Sequence, residues 1–237
     1  MLLWCISINA QNDRIKDKNF ITWPQVHFSL PLNKKLDLVA EYQWRRTNGF
    51  KHWQQSLLRG AIQYKLNPQV AIGLGYGWIE TFSYGDYPIA SNGTFPEHRI
   101  YEQVTYKSNI QKLSIQQRLR IEQRWIGRRT TAPERVIDEW FLSHRFRYFL
   151  RLQHPLSKSE KWYAAMADEI FIGAGKNVGT NVFDQNRIML MMGMKPSSSI
   201  SIEAGYLSQT LMQGRRINNQ TILQDNEGLI IAAYFSL

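Results

Sequence analysis

The sequence predicts an all-β chain folded as a single antiparallel transmembrane barrel of the outer-membrane type, with about twelve strands and ten as the fallback. Two patterns predict strands in a meander, and a third predicts that the meander closes in lipid. Apolar and polar residues alternate with period two over stretches of ten or so residues, and nothing from Asn12 onward repeats convincingly at i, i+3, i+4. Short polar turns alternate with longer Gly-rich or polar connections, so the two ends of the meander meet different environments, as short periplasmic turns and longer extracellular loops do. Tryptophans sit at the ends of the apolar faces, while arginines occupy the middles of the opposite faces.

Taken in order, eleven alternating stretches are visible. The first, at about 20 to 30, is weak. In 35 to 45, Leu36, Leu38, Ala40, Tyr42 and Trp44 share one face, and Asp37, Glu41, Gln43 and Arg45 the other. A weaker stretch covers 53 to 66. In 70 to 79, Val70, Ile72, Leu74, Tyr76 and Trp78 oppose Ala71, Gly73, Gly75 and Gly77. The glycine spacing lies inside a strand with no helix after it, so a phosphate loop is unsupported; the glycines read as space for long arginine side chains. After a weaker stretch at 97 to 107, residues 113 to 125 set Leu113, Ile115, Leu119, Ile121 and Trp125 against Gln116, Arg118, Arg120, Glu122 and Arg124. Residues 140 to 152 set Trp140, Leu142, Phe146, Tyr148, Leu150 and Leu152 against Arg145, Arg147 and Arg151. Weaker stretches follow at 161 to 173, 184 to 194 and 200 to 210. The last runs from 226 to 237, with Leu229, Ile231, Ala233, Phe235 and Leu237 on one face, and looks like the terminal recognition strand of outer-membrane barrels. Closed bacterial barrels have even strand numbers. A twelfth strand is therefore expected, either unseen or made by residues 11 to 19.

Short turns fall at 31–34, 67–69, 108–111, 154–157 and 196–199, and longer connections around 84–96, 127–137, 174–183 and 211–225. A soluble sandwich or closed barrel also alternates, so the faces must decide. Trp44, Trp78, Trp125 and Trp140 all lie on apolar faces and at the end adjoining a long connection, the pattern of an interfacial girdle rather than of a core. The opposite faces carry mid-strand arginines, whose planar forks satisfy several acceptors in a confined lumen. The expected lumen network comprises Glu97, Arg99, Arg118, Arg120, Glu122, Arg124, Arg145, Arg147, Glu169 and Arg187. Arg59, Glu41 and Glu203 share the inward parity, whereas Glu102 falls on the outward one.

Other classes are excluded on charge and chemistry. The net charge of +10 over 237 residues arises from single basic residues scattered along strands, with no basic run or helix face to engage nucleic acid. Residues 1 to 10, with an apolar run through Ile8 ahead of Asn9-Ala10-Gln11, read as a truncated signal peptide, and 11 to 237 as the barrel. Cys5 is the single cysteine and lies in that leader, so disulfides, thiolate metal sites and cysteine nucleophiles are not expected. No metal or other cofactor is expected either, since no His or carboxylate pair stands at ligand spacing with a third in reach. His98 beside Glu97 is the best available base for a hydrolase, but no serine stands out as its partner.

The strands also carry a resemblance. Glu97-His98-Arg99-Ile100-Tyr101-Glu102-Gln103, Arg118 to Arg124, Arg145-Phe146-Arg147-Tyr148, Asp168-Glu169-Ile170-Phe171, Asp184-Gln185-Asn186-Arg187 and Gly205-Tyr206, in that order, resemble a family of Gram-negative outer-membrane proteins catalogued as domain of unknown function 2490. The resemblance implies a barrel in the bacterial outer membrane and brings no catalytic residues. The expected function is non-enzymatic: a narrow anion-preferring pore for small anionic solutes, or a structural or partner-binding component in contact with outer-membrane lipid. A barrel-embedded lipid hydrolase is the alternative.

Overall fold

A computed structural model describes residues 14–90, 93–130, 133–178 and 182–237; the leader expected at residues 1 to 10, with Cys5, lies outside the described residues. Each alternating stretch forms one strand. In chain order they are β1 (Arg14–Pro31), β2 (Leu36–Thr47), β3 (His52–Lys65), β4 (Val70–Phe82), β5 (Thr94–Ile110), β6 (Leu113–Arg129), β7 (Ile137–Pro155), β8 (Trp162–Ala174), β9 (Phe183–Met194), β10 (Ile200–Ile217) and β11 (Gln220–Ser236). Every strand pairs with its neighbour in sequence, and β1 pairs with β11, so the sheet closes into a barrel.

The count among the described residues is eleven, between the expected twelve and the fallback of ten. An odd meander can close only if its first and last strands run the same way, and β1 and β11 do pair in parallel, from Arg14 opposite Thr221 to Ser29 opposite Ser236. Of residues 11 to 19, offered as a twelfth pass, 14 to 19 are instead the beginning of β1 itself, and 11 to 13 lie outside the described residues. The Leu237 amide donates to the Ser29 carbonyl at 2.9 Å and ties both chain segments at one end of the seam.

The polar stretch at 211–225 is not the long connection expected. It is the top of a hairpin in which β10 and β11 run on to a two-residue turn at Asn218 and Asn219. Both asparagines have positive φ, 49° and 63°, the geometry of the type I′ turn whose twist matches that of paired strands. Polar residues there mark strands standing clear of the apolar belt, with one irregularity in the ladder between Met212 and Arg216.

Side-chain placement is inverted relative to a soluble protein. Leu58, Ile62, Leu74, Ile72, Val104, Leu119, Leu190, Met192 and Leu229 are exposed on the outside, while Arg99, Arg120, Arg145, Arg147, Glu97 and Glu122 are buried inside. Alternation forces the choice: once the charged face is turned inward, every second residue must face out. The interior glycines of β4 make room, but chiefly for other groups than arginine. A Cβ on Gly75 would lie 2.3 Å from the Tyr101 ring, Gly73 faces Gln103, and only Gly77 faces an arginine, Arg59. Gly75→Ala is expected to displace Tyr101 and lower stability by about 1–3 kcal/mol, read as a lower urea midpoint for the refolded barrel.

One end of the barrel carries the turns between β1 and β2, β3 and β4, β5 and β6, β7 and β8, and β9 and β10; the other carries the longer segments 83–93, 130–136 and 175–182. Residues 83–90 fold inward across that mouth. The Asp17 carboxylate, 1% exposed, accepts from the amides of Asp86 and Tyr87, both at 3.3 Å, and from Gln224 Nε2 at 2.9 Å. Gln213 and Arg215 donate to the carbonyls of Tyr87 and Pro88 at 2.6 and 2.7 Å. The Tyr84 hydroxyl lies among Gln54, Gln224 and Asn226, and burial pushes its phenol pKa up, so it remains protonated. Asp17→Ala leaves two loop amides without their acceptor and takes from Gln224 the shorter of its two donated bonds. Limited proteolysis of that variant is expected to cut first within 83–93, at a rate several-fold above that of the unaltered protein.

Candidate functional site

Three buried glutamates organise the lumen. Glu122, on β6 and fully buried, accepts from Arg145 at 2.6 Å and Arg147 at 2.5 Å, with Arg99 at 3.5 Å and Arg120 at 3.8 Å. Glu97, on β5, holds Arg99 at 2.6 Å and Arg124 at 2.8 Å. Glu169, on β8, holds Arg147 at 2.7 Å, Arg118 at 2.8 Å and Arg187 at 3.8 Å. Arg99 and Arg147 each touch two of these carboxylates, so all ten residues singled out in the sequence form one connected web across β5 to β9. The web contains seven arginines and three glutamates, and Asp184 adds a further acceptor for Arg145 at 2.7 Å. Two smaller pairs stand beside it. Arg59 meets Glu41 at 2.7 Å with His27 at 3.4 Å, and Arg151 meets Glu203, which also accepts from Tyr163 at 2.8 Å.

Compensation is incomplete, and the sequence reading missed how. Three buried arginines are held chiefly by glutamine oxygens and aromatic faces. Arg45 donates to Gln43 and, at 2.5 Å, to Gln55, with its guanidinium 3.8 Å from the centre of the Trp23 ring. Arg120 donates through Nε and Nη2 to Gln103 at 3.0 and 2.6 Å, above the Tyr101 ring at 4.1 Å. Arg187 donates to Gln185 at 3.2 Å, with Phe171 at 4.5 Å and Trp23 at 4.9 Å. A glutamine carbonyl orients a guanidinium yet leaves its charge in place. The signal was in the sequence as Gln43-x-Arg45 and Gln185-x-Arg187, same-face neighbours along a strand. Donors also remain over: Arg118 Nε, Arg120 Nη1 and Arg187 Nε are buried without a hydrogen-bond acceptor.

Two cavities lie within the lumen formed by the described residues. That toward the longer segments has a volume of about 720 Å³, and that toward the short turns about 470 Å³. Arg59, Arg147 and Arg187 line both and form the partition between them. The first is lined by ten arginines against three carboxylates, the second by seven Lys and Arg against three glutamates. The inner wall is also two-sided. Adjoining the charged web on β8 and β9 and continuing over β10, β11 and β1, Ala165, Ala167, Met189, Met191, Leu207 and Ile230 form a buried apolar patch that includes Ile21, Trp23 and Tyr163 and packs on Phe149.

On the outside, Trp44, Trp78 and Trp140 are exposed near the mouth with the longer segments, and Trp125 is half-buried among them. Trp44 contacts Trp53, which stacks on Phe82. Trp78 and Trp140 both pack on His98, whose Nδ1 lies 2.6 Å from the Tyr76 hydroxyl. His98, the candidate base of the alternative hydrolase reading, thus faces outward into aromatic rings, on the opposite side of β5 from Glu97. Near the short turns Tyr64, Tyr106, Trp162 and Phe28 form a second exposed aromatic ring that the sequence reading did not identify. From Trp53 to Tyr64 along β3, a rise of ~3.4 Å per residue and a tilt of ~40° separate the rings by roughly 28 Å. Glu102 is outward with no bulge in β5, and accepts from Gln123 at 3.1 Å. Among the described residues no cluster of three His, Cys, Asp or Glu is arranged to hold a metal ion.

Residues 20–220 match the family model described as protein of unknown function, DUF2490. The chain belongs to that family. An uncharacterized protein of Methylorubrum extorquens is 28% identical over 175 residues, which cover 72% of this chain and 70% of that one. The NanC porin superposes with a TM-score of 0.51 at 14% identity, covering 89% of this chain and 91% of that one, a likeness of fold. The family match runs from β1 to the first residue of β11, and the porin's likeness is one of fold across most of the barrel.

Proposed function

We propose that this DUF2490 protein is an integral barrel of the bacterial outer membrane, without catalytic function, whose lumen is a narrow passage that prefers small anions. The observation that carries the membrane reading is the inverted surface: an apolar belt bounded by two aromatic rings, around an interior of ionic pairs. An exterior of that kind matches the ~25 Å apolar band of lipid-embedded barrels, and in water it would be an aggregation surface. Anion preference rests on the excess of arginine over carboxylate in both cavities, since rings of Arg and Lys favour anionic solutes. The partition at Arg59, Arg147 and Arg187 makes the passage narrow. Outer-membrane lipid is the partner of the belt, and scattered interior charge leaves nothing with which to grip nucleic acid.

Refolding the protein with lipid vesicles tests the membrane reading. The folded chain is expected to stay with the vesicles after carbonate extraction and to migrate faster on a gel before heating than after. Recovery as a folded monomer in the aqueous fraction would contradict it.

A further inference from the structure

We propose that the cavity toward the short turns is a binding site for a small organic carboxylate with an apolar body. Its acid group would lie against Arg118, Arg120 and Arg187, and its body against the patch of Ala167, Met189, Met191 and Ile230. This rests on the positively charged lumen already described and names its ligand class. Three observations converge on it. All three arginines line this one cavity, and each carries a buried N–H group with no acceptor. Buried donors of charged groups are costly to leave unpaired, and a small turn of each guanidinium at the cavity wall would present these enclosed N–H groups to a carboxylate, whose two oxygens carry several lone pairs. Arg120 and Arg187 are oriented by Gln103 and Gln185, so they are positioned while their charge stays available.

The other wall decides between ligands. A site built for inorganic phosphate or a polyhydroxylated acid would surround the ion with polar groups. Here Ala167, Met189, Met191, Ile230 and Phe149 line the same 470 Å³, a volume within the usual range for small-molecule sites. A tenfold affinity gain requires only about 55 Å² of buried apolar surface, less than one phenyl ring offers.

The test is calorimetric titration of the barrel in lipid nanodiscs with benzoate, acetate and inorganic phosphate, against empty nanodiscs. Benzoate is expected to bind saturably and at least about tenfold more tightly than acetate or phosphate. Gln103→Glu places a carboxylate on Arg120 and retains its acceptors; it should weaken benzoate by at least about tenfold in a barrel whose heat-shifted mobility is intact. Arg187→Gln should weaken it similarly. Arg128→Gln, at an exposed pair in the other mouth, should leave it unchanged. Phosphate binding more tightly than benzoate would overturn the ligand class. No saturable binding to the folded barrel, or equal binding by both lumen variants, would overturn the site. Binding is read without ion flow, so a silent bilayer would count against the passage and leave this site standing.

Discussion

Glu122→Gln is expected to cost the barrel about 3–5 kcal/mol, because it leaves a crowd of buried arginines without their shared negative charge. Arg145 and Arg147 lie 2.6 and 2.5 Å from this carboxylate, Arg99 and Arg120 at 3.5 and 3.8 Å, and none is more than slightly exposed. The amide keeps one acceptor oxygen and the shape, so the loss reports charge rather than volume. Removing Arg147 together with the glutamate should recover part of it, since one guanidinium then no longer needs a partner there. The urea midpoint of folding in vesicles reads both. The exposed pair of Arg128 and Glu139 supplies the contrast. Their side chains are 62% and 53% exposed at 3.0 Å, so water already screens them, and Glu139→Gln should change stability by less than about 1 kcal/mol. Equal effects at the two sites would mean that the lumen is as wet as the outer surface.

Leu119→Arg separates a lipid-facing belt from a water-facing one. Leu119 is 60% exposed and lies midway along the outer face of β6, between the two aromatic rings. In a bilayer, arginine at that depth costs about 2–4 kcal/mol. On a soluble barrel the same change at an exposed leucine would shift stability by no more than about 0.5 kcal/mol and improve solubility. Trp162→Arg, in the ring near the short turns, should cost only about 0–1 kcal/mol in lipid, because the side chain reaches the interface. The expected result is thus a gradient with depth, measured by refolding equilibria of the two variants in the same vesicles.

Much of this architecture was legible because alternation is a local signal. Leu36 to Arg45 and Leu113 to Trp125 declare their two faces without reference to any partner, and mid-strand arginine told which face turned inward. Register was not legible. Which arginine meets which glutamate depends on the stagger between strands, so the meeting of Arg118 on β6 with Glu169 on β8, two strands away, could not be read from spacing. The parallel seam was missed because a rule of even strand number overrode a correct count of eleven. The hairpin at Asn218 and Asn219 was missed because polar residues above the belt look like a loop. The inward fold of 83–90 rests on Asp17, a residue whose partners lie 69 and 70 positions on. The glutamine clamps were visible at i and i+2 but carry no meaning until the guanidinium beside them proves to have no carboxylate within hydrogen-bonding distance.

The most direct test of a narrow, positively biased passage is the reversal potential of single barrels in a planar bilayer under a salt gradient. The account predicts small, steady openings with a reversal potential displaced toward that of chloride, and a displacement reduced in Arg118→Gln/Arg120→Gln. Cation selectivity, or a silent bilayer containing barrels confirmed as folded by their heat-shifted mobility, would contradict it.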